Sequence, residues 1–158
     1  MPTIEIKTQI KSDLKTCFDL ARNIDSHKES LKHSREKAIA GKTSGLIELG
    51  ESVTWEAVHF GFKQKLASKI TEFESPNYFV DEMVFGAFKS FKHEHLFQEE
   101  NNLTLMIDKF SFQSPFGILG KLANFLFLTR YMKNLLSTRN EYLRVKAEQI
   151  SELEHRNS

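Results

Sequence analysis

The sequence predicts an α+β fold: a curved, seven-stranded antiparallel sheet, a long C-terminal helix, and two short helices after the first strand. Three observations lead there. Residues 3–10 alternate apolar and polar, with Ile4, Ile6, Thr8 and Ile10 against Glu5, Lys7 and Gln9. From Arg35 to Gln113 the period is again two, broken by turn signals at Phe60-Gly61, Ser75-Pro76-Asn77, Gly86 and Asn101-Asn102. After Ser114-Pro115 the pattern turns helical and holds to about Glu148.

Each element follows from local chemistry. Asp13 or Ser12 can cap a helix through LKTCFDLARNI, whose apolar side carries Leu14, Phe18, Leu20 or Ala21, and Ile24. A second short helix covers HKESLKHS. Strands are expected near 35–41, 51–60, 62–73, 78–85, 88–99 and 103–113. The last helix has a stripe of Leu122, Leu126, Met132, Leu136 and Leu143, with Gly117 and Gly120 loosening its first turn. Residues 1–150 read as a single domain and 151–158 as a polar tail.

Composition narrows the function. The 22 basic and 21 acidic residues leave a net charge of +1, so no global field attracts nucleic acid or an anionic membrane. The lone Cys17 excludes an intrachain disulfide and any zinc site built on several thiolates, which fits a cytoplasmic setting. MPTIEIKTQI lacks the apolar core of a signal peptide. The most apolar run, FGILGKLANFLFL, is interrupted by Lys121 and Asn124 and is too short for stable insertion into a bilayer. The 14 phenylalanines imply either a very aromatic core or an aromatic pocket.

Turn registers sort the strand faces. With Asn101-Asn102 as a two-residue turn, Phe91 opposes Phe112, His93 opposes Phe110, His95 opposes Asp108, and Phe97 opposes Met106. With Phe60-Gly61 as a turn, Trp55 opposes Leu66, Ala57 opposes Gln64, and Glu56 pairs with Lys65 outside. A four-residue turn from Glu74 to Asn77 sets Ile70 opposite Asp81 and puts Phe79, Asp81, Met83 and Phe85 inside. The inner face then carries Trp55, His59, Gln64, Asp81, His93, His95 and Asp108 among apolar residues. Buried polar groups need partners, so this face lines a cavity rather than a dry core.

This order of elements resembles the START-like helix-grip superfamily, also called SRPBCC. VTWEAVHFG (53–61), FVDEMVFGAFKSFKHEHLF (79–97) and SPFGILGKLANFLFLTRYM (114–132) look like a bacterial branch described as ligand-binding, polyketide-cyclase/dehydrase-like or cell-division-inhibitor-like. The chain departs from that branch at Gly86-Ala87, where Gly-Pro is usual, and at Phe91, where Trp is usual. The resemblance implies a START-like ligand-binding domain over 1–150, with its pocket between the concave sheet and the last helix. By position it implicates Trp55, His59, Asp81, Phe91, His93, His95 and Asp108.

Several chemistries compete for that pocket. His93, His95 and Asp108 could form a two-His, one-carboxylate metal set. The expectation is nonetheless no metal and no cofactor, because nothing in the sequence shows groups that would support such ligands from behind. A His95–Asp108 pair could serve acid–base catalysis of a cyclase/dehydratase type, and this is the alternative reading. Cys17, on the apolar side of the first helix, reads as a structural thiol. The favoured reading is binding of a small, mainly hydrophobic ligand, without evident catalysis. Its site residues are Trp55, His59, Gln64, Phe79, Asp81, Met83, Phe91, His93, His95, Met106, Asp108 and Phe110. Off-stripe Leu119, Phe125, Phe127 and Leu128 suggest a surface for a second copy or a partner protein. Lys121, Arg130, Lys133 and Arg139 read as a solvated face, not as a nucleic-acid site.

Overall fold

The structure is a computed structural model and describes residues 2–114 and 124–158, with nothing said of the side chains at 124 and 125. Strand β1 (Thr3–Ile10) is followed by helices α1 (Leu14–Ala21) and α2 (Ile24–Ser30) and a 3-10 turn at Lys32–Ser34. Then come β2 (Lys37–Gly41), β3 (Ser52–His59), β4 (Phe62–Glu74), β5 (Tyr78–Phe85), β6 (Ser90–Glu100) and β7 (Leu103–Gln113). A π-helical turn at Asn124–Leu128 leads into α3 (Thr129–Arg156). All seven strands form one antiparallel sheet in the order β1-β7-β6-β5-β4-β3-β2. Consecutive strands from β2 to β7 are neighbours, and β1 closes on β7. The two short helices therefore carry the chain from one sheet edge to the other.

Local chemistry sets these bounds. Asp13 Oδ2 accepts from Thr16 N–H at 3.0 Å and Asn23 Oδ1 from Ser26 N–H at 3.0 Å, so each short helix starts at a side-chain cap. The second cap ends the first helix earlier than its apolar pattern suggests and gives Ile24 to α2. Phe60 and Gly61 both have positive φ, as do Asn101 and Asn102, the signature of twist-matched two-residue hairpins. The expected pairs follow: His93 with Phe110, His95 with Asp108, Phe97 with Met106, and Trp55 with Leu66.

The third hairpin differs. Glu74 pairs with Tyr78, and a bulge between Ile70 and Glu72 restores the Ile70–Asp81 pairing. A second bulge between Ala67 and Ser68 shifts the register again, and Phe85, expected inside, is half exposed. The extra residue is Thr71 of β4 in the first and Val84 of β5 in the second, and two such irregularities in one hairpin raise local twist and bend, which curves the sheet.

Two aromatic clusters fill much of the inner layer. Phe18 packs edge-on against Phe73, Phe79 and Phe97 at 5.4–5.5 Å. Phe88, Phe91, Phe110 and Phe112 pack together in the other. Along β6, Phe97 belongs to the first cluster and Phe91 to the second, so His95 and His93 fall between them. Asp108 sits likewise on β7 between Met106 and Phe110.

Helix α3 differs from expectation in three ways. It runs to Arg156, so most of the segment read as a polar tail is helical; QISELEHR contains no helix breaker, and Ser151 is tied to Ser12 at 2.7 Å. Met132, Leu136 and Leu143 are buried as the stripe requires, but Leu126 is exposed. The π turn advances the chain by more than 3.6 residues per turn and takes Leu126 out of phase. Third, Arg139, read as solvated, is only 3% exposed. Leu119, Leu122, Gly117 and Gly120 lie outside the described residues, as does the Phe125 side chain. Phe127 is exposed.

Candidate functional site

The three-strand register places four ionisable groups together. Asp81 on β5 is opposite His93 on β6, Phe79 is opposite His95, and Asp108 on β7 is opposite His95. The two imidazoles lie close together, tilted by 34° with 3.8 Å between ring centroids. Each shows one nitrogen to Asp108 and the other to Asp81. His93 Nε2–H donates to Asp108 Oδ1 at 2.9 Å, and its Nδ1 is 3.9 Å from Asp81 Oδ2. His95 Nε2–H donates to Asp81 Oδ2 at 2.8 Å, and its Nδ1 is 3.2 Å from Asp108 Oδ1. That last contact is too poorly aligned to be a hydrogen bond, and His95 Nδ1 is buried without one.

The expected His95–Asp108 hydrogen bond is therefore replaced by two others. His95 bonds Asp81, and Asp108 bonds His93. Cross-strand opposition brings the Cα atoms close, but the His95 ring leans towards β5, where it stacks on Phe79 at 4.1 Å. The acid–base alternative, framed on His95 with Asp108, thus has Asp81 in the partner position.

Asp108 is fully buried and is held from the helix side too. Asn140 Nδ2–H donates to its Oδ2 at 2.7 Å, and Arg139 Nη1–H to its Oδ1 at 3.3 Å. Arg139 also reaches the Asn140 side chain at 2.9 Å and the Ala21 carbonyl at 3.3 Å. This ties α3 to β7 and to the end of α1. Neither Arg139 nor Asn140 is among the sequence-predicted site residues. The signal was present: 136, 139, 140 and 143 are the i, i+3, i+4, i+7 positions of the buried stripe.

Charges follow from these contacts. Burial works to raise the Asp108 carboxyl, but the His93 hydrogen bond, the close His95 ring and the Arg139 charge outweigh it and hold it well below the usual range. Asp81 is also lowered: burial opposes ionisation, and His95 and His93 overcome it. Burial and the neighbouring His95 charge push His93 down, so it is the neutral ring. For His95, burial acts downward, and contacts with Asp108 and Asp81 reverse it, so its pKa is raised. The Arg139 guanidinium and the raised His95 imidazole thus face the two carboxylates.

This cluster forms part of the wall of a cavity of about 750 Å³ between the sheet and the helices. Of the predicted site residues, Trp55, His59, Gln64, Phe79, Asp81, Phe91, His93, His95 and Phe110 line it. Met83, Met106 and Asp108 do not. Met106 and Asp108 are wholly buried, and Met83 packs against the second aromatic cluster. The wall is mostly apolar, with Ile24, Leu31, Leu128 and Leu135 contributed by the helices.

Sequence reasoning missed further polar residues here. Tyr131 on α3 hydrogen-bonds His59 Nδ1. His27 lies against Trp55, 4.4 Å between rings, and is pushed down to about 3 by burial and then by the Arg139 charge. Glu36 has a buried Oε2 without a hydrogen-bond partner, and burial pushes its carboxyl up to about 7. Cys17 is buried and pushed up to about 11, chiefly by burial, so its thiol is inert at neutral pH. Among the described residues, no helix is long and apolar enough to cross a membrane.

Solved structures share this architecture. The chain resembles protein TTHA0849 of Thermus thermophilus with a TM-score of 0.72 at 19% identity, covering 92% of this chain and 99% of that one. It resembles protein CV1439 of Chromobacterium violaceum with a TM-score of 0.71 at 8% identity, covering 92% and 96%. For major latex-like protein 151 of Panax ginseng the TM-score is 0.68 at 14% identity, covering 92% and 97%. No protein-family model matches the chain, and no curated protein does. The chain has the helix-grip fold; at these identities the likeness extends to the fold alone.

Proposed function

We propose that this protein binds a small, mainly apolar molecule in the cavity between the sheet and α3, with no chemistry performed on it. The observation that carries the reading is the cavity: about 750 Å³, walled mostly by carbon, with Asp81, His93 and His95 clustered on one part of the wall. Volumes of this size suit drug-sized or lipid-like ligands, and a few convergent polar groups orient them. Asp81, His93 and His95 would meet a polar head, while Trp55, Phe79, Phe91 and Phe110 would surround the apolar body. The balanced net charge supports the absence of a nucleic-acid partner, and the single buried thiol supports a cytoplasmic setting.

The test is uptake of an apolar fluorescent probe by the wild type and by Phe110→Trp. Phe110 lines the cavity on β7, so an indole there takes up ligand space. Probe binding should weaken about tenfold or more while circular dichroism stays native. A wild type that takes up no apolar probe would sink the reading. A filled core makes a different forecast: Phe110→Trp would be destabilised by roughly 1–3 kcal/mol through overpacking.

A further inference from the structure

We propose that Asp81, His93 and His95 form a binding site for one divalent first-row transition cation, such as zinc, open to the cavity. One ligand atom from each of the three residues falls within a 4.8 Å group. Oxygen and nitrogen ligands on a tetrahedral zinc, each about 2.0–2.1 Å from the metal, lie about 3.3 Å from one another. Asp81 Oδ2 is 2.8 Å from His95 Nε2 and 3.9 Å from His93 Nδ1, which brackets that spacing. The three ligand atoms all lie within 4.8 Å of one another, so side-chain rotation is the adjustment that a shared cation calls for.

The proton positions favour it. His93 gives its Nε2–H to Asp108, which leaves its Nδ1 as the atom turned towards Asp81 Oδ2. A lone pair 3.9 Å from a carboxylate oxygen gains nothing without a cation between them. The orphan nitrogen is a second, independent sign. His95 Nδ1 is buried and makes no hydrogen bond, although it lies 3.2 Å from Asp108 Oδ1. If His95 Nε2 binds the cation, the ring keeps its proton on Nδ1 and can donate it to Asp108. One carboxylate then supports both imidazoles from behind, the arrangement that fixes the tautomer and orientation of metal-bound histidines. Asn140 and Arg139 hold that carboxylate in turn.

Three protein ligands leave a fourth position facing the cavity. Two neutral histidines, two carboxylates, Arg139 and a divalent cation sum to one positive charge. The open position therefore suits a hydroxide or an anionic oxygen, which makes a carboxylate or enolate the head group expected of the ligand there. The head-group statement rests on the cavity-binding reading; the cation site does not, because it is measured on ligand-free protein.

The experiment is equilibrium dialysis of the chelator-stripped full chain against zinc chloride at neutral pH. About one zinc per chain is expected. Asp81→Asn and His95→Gln, both close in volume to the originals, should each weaken binding at least tenfold. Asp108→Asn should weaken it about 10- to 100-fold although its side chain lies behind the ligands. Circular dichroism of each variant excludes loss of fold. A variant that does not fold is replaced by observing the imidazole resonances of wild-type His93 and His95 on zinc addition, which must shift. No zinc bound by the wild type overturns the proposal. So does one zinc that survives both Asp81→Asn and His95→Gln, since it then sits elsewhere, for example on exposed His33 or His155. Absence of zinc together with uptake of apolar probe would leave the cavity reading standing.

Discussion

At the scale of single residues, Asp108 has the strongest grip on the fold. It is wholly buried and meets His93, Arg139 and Asn140, which come from two different elements. Replacing it with Ala strands the Arg139 guanidinium, itself nearly unexposed, without a carboxylate. Loss of one partner from a buried ion pair costs about 3–5 kcal/mol. Urea unfolding of Asp108→Ala should show a loss of that order, and Asp108→Asn, which keeps a polar side chain for Asn140 and His93, a smaller one. An Ala variant as stable as the wild type would mean that Arg139 finds water or another acceptor. Much of this cluster was legible beforehand. Strand period two puts His93 and His95 on one face, and the Asn101-Asn102 turn fixes Asp108 opposite His95. Which carboxylate bonds which ring was not legible, because it depends on ring lean and on stacking against Phe79 from a third strand. Arg139 was misread for another reason. A charged residue on a helix defaults to solvent, and only the packing of α3 over β7 reveals the carboxylate that makes its burial tolerable.

At the scale of elements, the hairpins do most to specify the sheet. The β6–β7 register is held by a turn in which Asn101 and Asn102 both adopt positive φ. Asn tolerates that conformation better than other non-glycine residues, and a left-handed residue otherwise costs about 1–2 kcal/mol. Asn102→Ala should therefore lower stability by about 1 kcal/mol, and Asn102→Gly should be neutral or stabilising. Thermal unfolding of the pair checks both; equal stability would show that the turn does not depend on side-chain identity. This hairpin was readable because two adjacent asparagines between alternating runs suit a two-residue turn and little else. The β4–β5 hairpin was readable only in part. Its turn residues were evident, but the bulges at Thr71 in β4 and Val84 in β5 leave no mark in an alternating pattern, and the second shifts Phe85 out of the expected register. The π turn before α3 is equally silent in sequence, which is why Leu126 was placed on the buried stripe.

At the scale of the whole molecule, the cavity exchanges stability for space. Glu36 lines it with a buried, unpartnered carboxylate oxygen. Burial raises its pKa from 4.5 to about 7, so between those values the native chain holds a proton that the unfolded chain has lost. Stability therefore falls as pH rises through that window, and the penalty is complete above about pH 7. The full shift would set a ceiling near 3 kcal/mol, and partial exposure reduces it to about 1–2 kcal/mol. Glu36→Gln should match the wild type near pH 4.5 and exceed it by about that amount at pH 8. Denaturant melts at the two pH values decide the matter, and a gain of equal size at both would mean that Glu36 does not titrate in this window.

One wall residue turns the protein into its own instrument. Trp55 is the sole tryptophan in the chain, it borders the cavity, and its indole lies against the ring of His27. With that imidazole held neutral down to about pH 3, the ring beside the indole keeps the same charge across the working range. Changes in intrinsic emission near neutral pH then track what enters the cavity rather than the protonation of this neighbour. Occupancy can be followed with no label attached, and a ligand that perturbs Trp55 reports its arrival in the colour and intensity of the protein's own light.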